Sequence, residues 1–397
     1  MTDFTKTRAL FQIPEGVVYL DGNSLGPLPI AAKDRVANMI EREWGGQLVK
    51  GWNSAGWMKK PRSVGDRVAA LLGAAEGTVV MGDTLSLKVH QALASALELN
   101  PDRRVVLSDN GNFPSDLYMA QGLLKSLDRG HVLKVVDPEA VEAAIDEGVA
   151  VLMLTEVDYR TGRIHDMKSL TKKAHEKGVI TIWDLAHSAG AIPVDLAGSQ
   201  ADFAVGCTYK YLNGGPGSPA FIYVAPKYLS TSRPVLSGWL GHEMPFAFDI
   251  NYRPAAGIDR MRVGTPPIIA LAALEAALDV WDGVDMQQLR ACSMTLGDLF
   301  IAGIEKSCPE LTLNSPRLAA ERGSQVSFRH PQGYAIMRAL IARGVIGDFR
   351  APDSLRFGFA PLYIGEAEVM SAVAIISDVV NNRLWDTPEY RVTELVT

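Results

Sequence analysis

Between Val179 and Gly217 the chain sets out a carboxylate, an imidazole and an amine in a fixed order. Asp184 closes the apolar, β-branched run Val179 to Trp183, and His187 follows it closely. A second short apolar run, Ala201 to Gly206, leads into Cys207-Thr208-Tyr209-Lys210 and then the loop Asn213-Gly214-Gly215-Pro216-Gly217. Strands of parallel sheets are apolar on both faces, so the first run reads as a buried strand. That places Asp184 at the end of a rigid element, where open α/β sheets bind ligands.

Each residue alone has an ordinary reading: Asp184 as a loop or helix cap, His187 as a histidine packed under a loop, Lys210 as a surface amine. Together they have the parts of a pyridoxal phosphate (PLP) site. A lysine condenses with the cofactor's aldehyde, a carboxylate faces its ring nitrogen, and an imidazole packs near the ring.

Four further stretches accompany this segment: YLDGNSLGPLP (19–29), NFPSD (112–116), WDLAHSAGAIPVDL (183–196) and RVGTPPI (262–268). With YKYLNGGPG (209–217) the set resembles the kynureninase family, PLP enzymes of fold type I in the class-V aminotransferase superfamily. The resemblance runs along essentially the whole chain. GNSLG, FPSD and YKYLNGGPG are specific to that family, whereas D-x-x-H with a lysine marks only the superfamily.

The resemblance implies roles. Lys210 holds the cofactor, Asp184 its ring nitrogen, and His187 lies close by. Phe113 stacks on the ring and Asp116 lies near its hydroxyl, although alone Asp116 reads as a helix cap. Leu85 and Ser86 hold the phosphate at a helix N-terminus, where unpaired N–H groups and a partial positive charge favour anions. Thr155 is a further cofactor contact. Trp239 and Thr265 reach the phosphate of a neighbouring subunit's cofactor, which implies a homodimer with shared active sites; alone they read as a core indole and a helix N-cap. Asn23, Ser24, Trp52 and Gly264 belong to the substrate side, and Tyr209 assists proton transfer. Arg356, in SLRFGFAPLY, is either an edge-strand surface residue or a bidentate anchor for the substrate's α-carboxylate; the resemblance favours the anchor. The implied reaction takes L-kynurenine and water to anthranilate and L-alanine. Family members that favour the ring-hydroxylated substrate carry histidine and asparagine at the positions of Trp52 and Thr265, so a preference for kynurenine is expected.

Two other readings share these residues. A cysteine desulfurase or aminotransferase would also use Asp184, His187 and Lys210, but a desulfurase needs a nucleophilic cysteine on a mobile loop. None of Cys207, Cys292 and Cys308 lies in such a loop. A cofactor-binding protein without turnover is the third reading, and the presence of both the lysine and the carboxylate argues against it.

Composition narrows the classes further. The chain has 397 residues, 47% hydrophobic and 21% charged, with a net charge of −6. No basic surface is set out for nucleic acid or anionic lipid. Three cysteines without C-x-x-C, and seven histidines without H-E-x-x-H, argue against a disulfide framework or a metal site. No apolar run is long enough for a bilayer span, and the N-terminus lacks a signal-peptide core, so a cytoplasmic location is expected.

The elements that must position these residues follow from periodicity. An amphipathic helix is expected over Ile30 to Trp44. Strands over 78–81, 104–108, 131–136, 150–154, 179–183 and 219–225 alternate with helices over 62–72, 85 onward, 115 onward, 138–147 and 167–177. The segment EVDYRTGRIHDM reads as a polar loop with His165 on the surface. Of the two indoles in QLVKGWNSAGWMKK, Trp57 is expected to be packed. An alanine-rich helix over 268–280 precedes strands at 325–329 and 355–359 and helices at 334–343 and 366–380. The expected fold class is α/β, with a large, mostly parallel sheet and a smaller α+β domain. The expected division is 1–50 as an N-terminal segment packing with the small domain, 51–280 as the PLP-binding domain, and 281–397 as the small domain.

Overall fold

The computed structural model describes residues 2–392 and 394. Its centre is a seven-stranded sheet made of β1 (Val79–Met81), β2 (Val105–Asp109), β3 (Val132–Val136), β4 (Val149–Thr155), β5 (Ile180–Asp184), β6 (Phe203–Gly206) and β7 (Phe221–Val224). In space the order is β1-β7-β6-β5-β4-β2-β3. The strands from β2 to β6 run parallel, and β7 alone runs antiparallel to both of its neighbours. Every residue of β4 and β5 is buried, which explains why these runs are apolar on both faces.

Helices cover both faces. Leu85–Leu99 (α1) lays Val89, Leu93 and Ala96 against Val80, Val205 and Ile222. On the opposite face Met81, Leu154 and Trp183 share a core with Leu271 and Leu274 of α2 (Ile268–Asp279). The register of β4 and β5 sets Thr155 directly beside Asp184, so two polar side chains emerge together at the carboxyl end of the sheet.

The C-terminal part holds a four-stranded antiparallel sheet made of β8 (Thr312–Leu313), β9 (Gln325–Arg329), β10 (Asp348–Arg350) and β11 (Ser354–Gly358), in the order β8-β9-β11-β10. Phe300, from the helix Met286–Ser307, meets Phe328, Phe357 and Phe359 with ring centroids 4.9–6.1 Å apart. The N-terminal segment is stitched to this part: Val18 and Tyr19 pair in parallel with Val345 and Ile346, and the Thr7 hydroxyl donates to the Leu362 carbonyl at 2.9 Å. The same segment also reaches the large sheet, where the Gly26 N–H donates to the Tyr209 carbonyl at 2.7 Å. A Cβ on Gly26 would stand 2.5 Å from the Lys210 carbonyl oxygen, so only glycine permits this approach.

Several expectations need correction. The helix expected to Trp44 is α-helical over Ile30–Asn38 and widens into π turns over Met39–Trp44. The helix expected over 138–147 is reduced to short turns at Pro138–Ala140 and Val141–Ala144, because Ile145 is already extended. β8 and β10 were not foreseen.

Candidate active site

A cavity of about 150 Å³ opens where β4 and β5 end, bounded by the N-terminal turn, the Lys210 loop and the small sheet. Asn23, Ser24, Leu85, Phe113, Thr155, Asp184, His187, Tyr209, Lys210 and Arg356 all line it. Lys210 Nζ lies 2.8 Å from His187 Nε2. Asp184 has polar neighbours on two sides: its Oδ1 accepts from the Ala186 N–H at 2.8 Å and its Oδ2 lies 3.4 Å from the Thr155 hydroxyl. Phe113 caps the loop before the helix Pro114–Leu127, and its ring meets Tyr159 edge-on at 5.1 Å. The Asn112 side-chain oxygen fixes that loop by accepting from the Phe113 N–H at 2.7 Å and from the Thr155 hydroxyl at 2.5 Å.

The electrostatics suit an aromatic nitrogen and an imine-forming amine. Burial pushes Asp184 up to about 6, while Lys210, the Ala186 N–H and the Thr155 hydroxyl pull against it. Burial holds His187 well below its ordinary value, and the positive charges of Lys210, Arg356 and Arg350 add to this, so the imidazole is neutral. Burial, then the charge of Asp184, drive Asp116 well above the carboxylate range, with Lys210 opposing.

Unpaired polar atoms mark the space that a cofactor would fill. Asp116 Oδ2 and both amide atoms of Asn23 are buried without hydrogen-bond partners among the described residues. Leaving such a group unpaired costs about 1–3 kcal/mol, which a pyridine ring with its hydroxyl and charged nitrogen would relieve. The α1 N-terminus begins at Leu85 on the cavity wall, with Thr84 at the N-cap position making no side-chain cap. Ser86 Oγ sits 3.0 Å from Ser115 Oγ, joining that N-terminus to the next one. The residues present therefore fit PLP.

Other placements differ from expectation. Arg356 is not on an edge: β11 lies between β9 and β10, and the residue is 1% exposed. Its Nε donates to Asp348 Oδ1 at 2.6 Å, its Nη2 pairs with Asp348 Oδ2, and its Nη1 donates to the Tyr159 carbonyl. His165 is buried rather than on the surface, with Nε2 2.5 Å from Asp109 Oδ2. The buried Asp109 carboxylate at the end of β2 needs a polar partner, and the loop folds the imidazole in to supply it. Thr265 is not a helix N-cap, since Pro267 holds that position. Trp239 is not a core indole in the single chain but lies exposed, edge-on to Phe246 at 5.7 Å. Asp116 lies in the first helical turn without capping it, and neither Asp116 nor Ser86 lines the cavity. Trp57 is packed as expected, and Trp52 leans on it edge-on at 5.5 Å. Trp52, Trp239, Gly264 and Thr265 do not line this chain's cavity. Tyr159, Ala186 and Arg350 line it without having been foreseen.

Residues 289–376 match the kynureninase C-terminal domain, and residues 49–206 match the DegT/DnrJ/EryC1/StrS aminotransferase family. The chain is 50% identical to a kynureninase of Pseudomonas fluorescens, with 98% of this chain and 95% of that protein covered. The chain belongs to the kynureninase family. A kynureninase of Burkholderia pseudomallei (strain 1106a) is 49% identical over the same shares. Among solved structures, a cysteine desulfurase from Thermococcus onnurineus NA1 superposes with a TM-score of 0.80 at 19% identity, covering 96% of this chain and 99% of that one. The cysteine desulfurase CsdA of Escherichia coli gives 0.79 at 19% identity, with 96% and 99% covered. These likenesses show the PLP fold type I that the kynureninase family shares with desulfurases.

Proposed function

We propose that this chain is a PLP-dependent hydrolase that cleaves the Cβ–Cγ bond of L-kynurenine, giving anthranilate and L-alanine. One observation carries the reading: the cavity places Lys210, neutral His187 and buried Asp184 within reach of two arginines, so an amine site and a carboxylate site face the same small space. When bound, the cofactor supplies the electron sink that makes the substrate's Cα–H bond acidic.

The protein's own residues supply the rest. Lys210 Nζ would hold the cofactor through its aldehyde, and its free amine is placed to move the proton at the substrate's Cα. Asp184, with its Oδ1 held by the Ala186 N–H and its Oδ2 near the Thr155 hydroxyl, would pair with the ring nitrogen and favour its protonated form. Phe113 and His187 would enclose the ring, Asp116 would serve its hydroxyl, and Leu85 and Ser86 would present backbone N–H groups to its phosphate. Asn23 and Ser24 close the substrate side, and Arg356 orients the α-carboxylate. Tyr209 moves a proton at the side-chain ketone; burial keeps its hydroxyl protonated by pushing its pKa upward. Residues 51–280 form the cofactor-binding part and 281–397 the small domain, with 1–50 serving both.

The proposal includes a homodimer with shared sites. The segment that carries Trp239 and leads to Gly264 and Thr265 exposes Phe248 at 81% and Ile250 at 97%, which favours burial against a second copy. Among the described residues no helix is long and apolar enough to cross a membrane, which supports the cytoplasmic reading. The test of the activity is direct: PLP-loaded protein with L-kynurenine should release fluorescent anthranilate and equimolar L-alanine. Absence of anthranilate with the cofactor bound would overturn the reading.

A further inference from the structure

Arg356 and Arg350 reach the cavity from neighbouring strands, but they are committed to different degrees. A guanidinium has five N–H donors. Arg356 uses Nε and Nη2 on both oxygens of Asp348, a further Nη2 contact on Ser24 Oγ at 3.3 Å, and Nη1 on the Tyr159 carbonyl. It is a fixed part of the wall. Arg350 stands two residues from Asp348 on β10, so both side chains project to the same face. Its Nη1 donates to the neighbouring Phe349 carbonyl at 2.9 Å, its Nη2 is 2.9 Å from Asp348 Oδ2 and 3.5 Å from Ser24 Oγ, and its Nε has no partner among these contacts, with 36% of the side chain exposed.

We propose that Arg350 is the second cation of the substrate's α-carboxylate site, and that it sets the preference for an amino acid over the corresponding amine. This rests on the reading of the cavity as an amino-acid site. Two guanidinium groups share the one carboxylate of Asp348. The other acid of the cluster, Asp21, is pushed up to about 7 by burial and by Asp348, so it only partly offsets the second positive charge. A carboxylate entering beside Ser24 would meet the exposed donors of Arg350, while Arg356, pinned by Asp348, holds the facing wall. Burial and the like charge of Arg356 both press on the Arg350 guanidinium, and an incoming anion relieves that pressure. Arg350 is thus a specificity-determining residue, with Asp348 the positioning residue that keeps the two cations side by side.

The test measures equilibrium binding of L-alanine and of ethylamine to the holoenzyme through the bound cofactor's absorbance. It compares wild type, Arg350→Gln and Arg350→Lys, with cofactor content and melting temperature checked for each. Wild type should bind L-alanine far more tightly than ethylamine. Arg350→Gln should weaken L-alanine binding at least tenfold and leave ethylamine unchanged, and Arg350→Lys should restore part of the difference. For kynurenine, KM should rise more than kcat falls. Equal weakening of both ligands would show a merely structural role and overturn the proposal. Unchanged L-alanine binding in Arg350→Gln, or no discrimination by wild type, would overturn it equally. The outcome is independent of anthranilate release: a protein that discriminates through Arg350 yet fails to cleave kynurenine refutes the proposed reaction and not this inference.

Discussion

Lys210 and Asp184 divide the work of one site, and each can be removed separately. Lys210→Ala should abolish the yellow absorbance of the lysine-bound cofactor, and borohydride should trap the cofactor on the peptide containing Lys210 in wild type. Trapping on another lysine would refute the assignment. Asp184→Ala leaves the ring nitrogen without its counter-charge, a loss of about 3–5 kcal/mol for a broken buried pair, so turnover should fall by a few orders of magnitude. Near-normal turnover would refute the pairing. Glu156, next to Thr155, is a buried carboxyl outside the cavity. Burial pushes it from 4.5 up to about 7, with the Ser188 hydroxyl opposing. The folded chain therefore holds a proton there that the unfolded chain has released between those values. The stability this group contributes is full below pH 4.5 and is lost as pH rises to about 7. Glu156→Gln should be the more stable protein at pH 8 by roughly 1–3 kcal/mol and close to wild type near pH 4. Denaturant melts at the two pH values measure this, and an unchanged difference would remove Glu156 as the source.

At the scale of elements, the turn Asp21–Gly26 closes against the Lys210 loop at Gly26 and against the end of β11 at Gly358. A Cβ on Gly358 would stand 2.3 Å from Asn23 Oδ1. Gly358→Ala should therefore push Asn23 from the cavity wall, raising KM and costing about 1–3 kcal/mol of stability. Thermal melts and steady-state kinetics together check it; a normal KM would show that Asn23 does not serve substrate. The elements differ in how plainly they can be read. β4 and β5 are legible because two-sided burial writes an unbroken apolar run, and Asp184 stands out as the charge that ends one. β10 is not legible: three residues with charges at both ends carry no apolar period, and only its pairing with β11 makes it a strand. Arg350 was missed for that reason. His165 was misplaced because burial of a loop histidine depends on a distant carboxylate, here Asp109. The favourable helix propensity of 138–147 yields to the cost of nucleating so short a segment.

The whole molecule adds what one chain cannot show. If Trp239 and Thr265 complete the site of a second copy, mixing Lys210→Ala with Thr265→Ala protein should recover activity on subunit exchange. One site of the mixed dimer then carries both defects and the other carries neither. No recovery after verified exchange would assign each site to a single chain. Substrate choice belongs to the same scale. Gly264 offers no side chain, and Trp52 offers an indole packed against Trp57. Neither lines this chain's own cavity; if a second copy brings them to the substrate ring, a ring hydroxyl buried there without a partner would cost ~1–3 kcal/mol. Kynurenine should exceed 3-hydroxykynurenine in kcat/KM by roughly tenfold or more, and equal values would refute this view of the pocket.

Ser24 meets Arg356 across 332 positions of sequence, and the strand at Val18–Tyr19 pairs only with residues near the far end of the chain. Such distant closures are slow to form, because loop entropy must be overcome before any contact offsets it. During synthesis the first residues leave the ribosome with their partners still untranslated, while β1 to β7 can already assemble behind them. The wall proposed to hold the carboxylate can thus close only after Arg356 has emerged, late in synthesis. Nascent chains released early, or truncated before Val345, would carry Asp184 and Lys210 yet lack any means to select an amino acid.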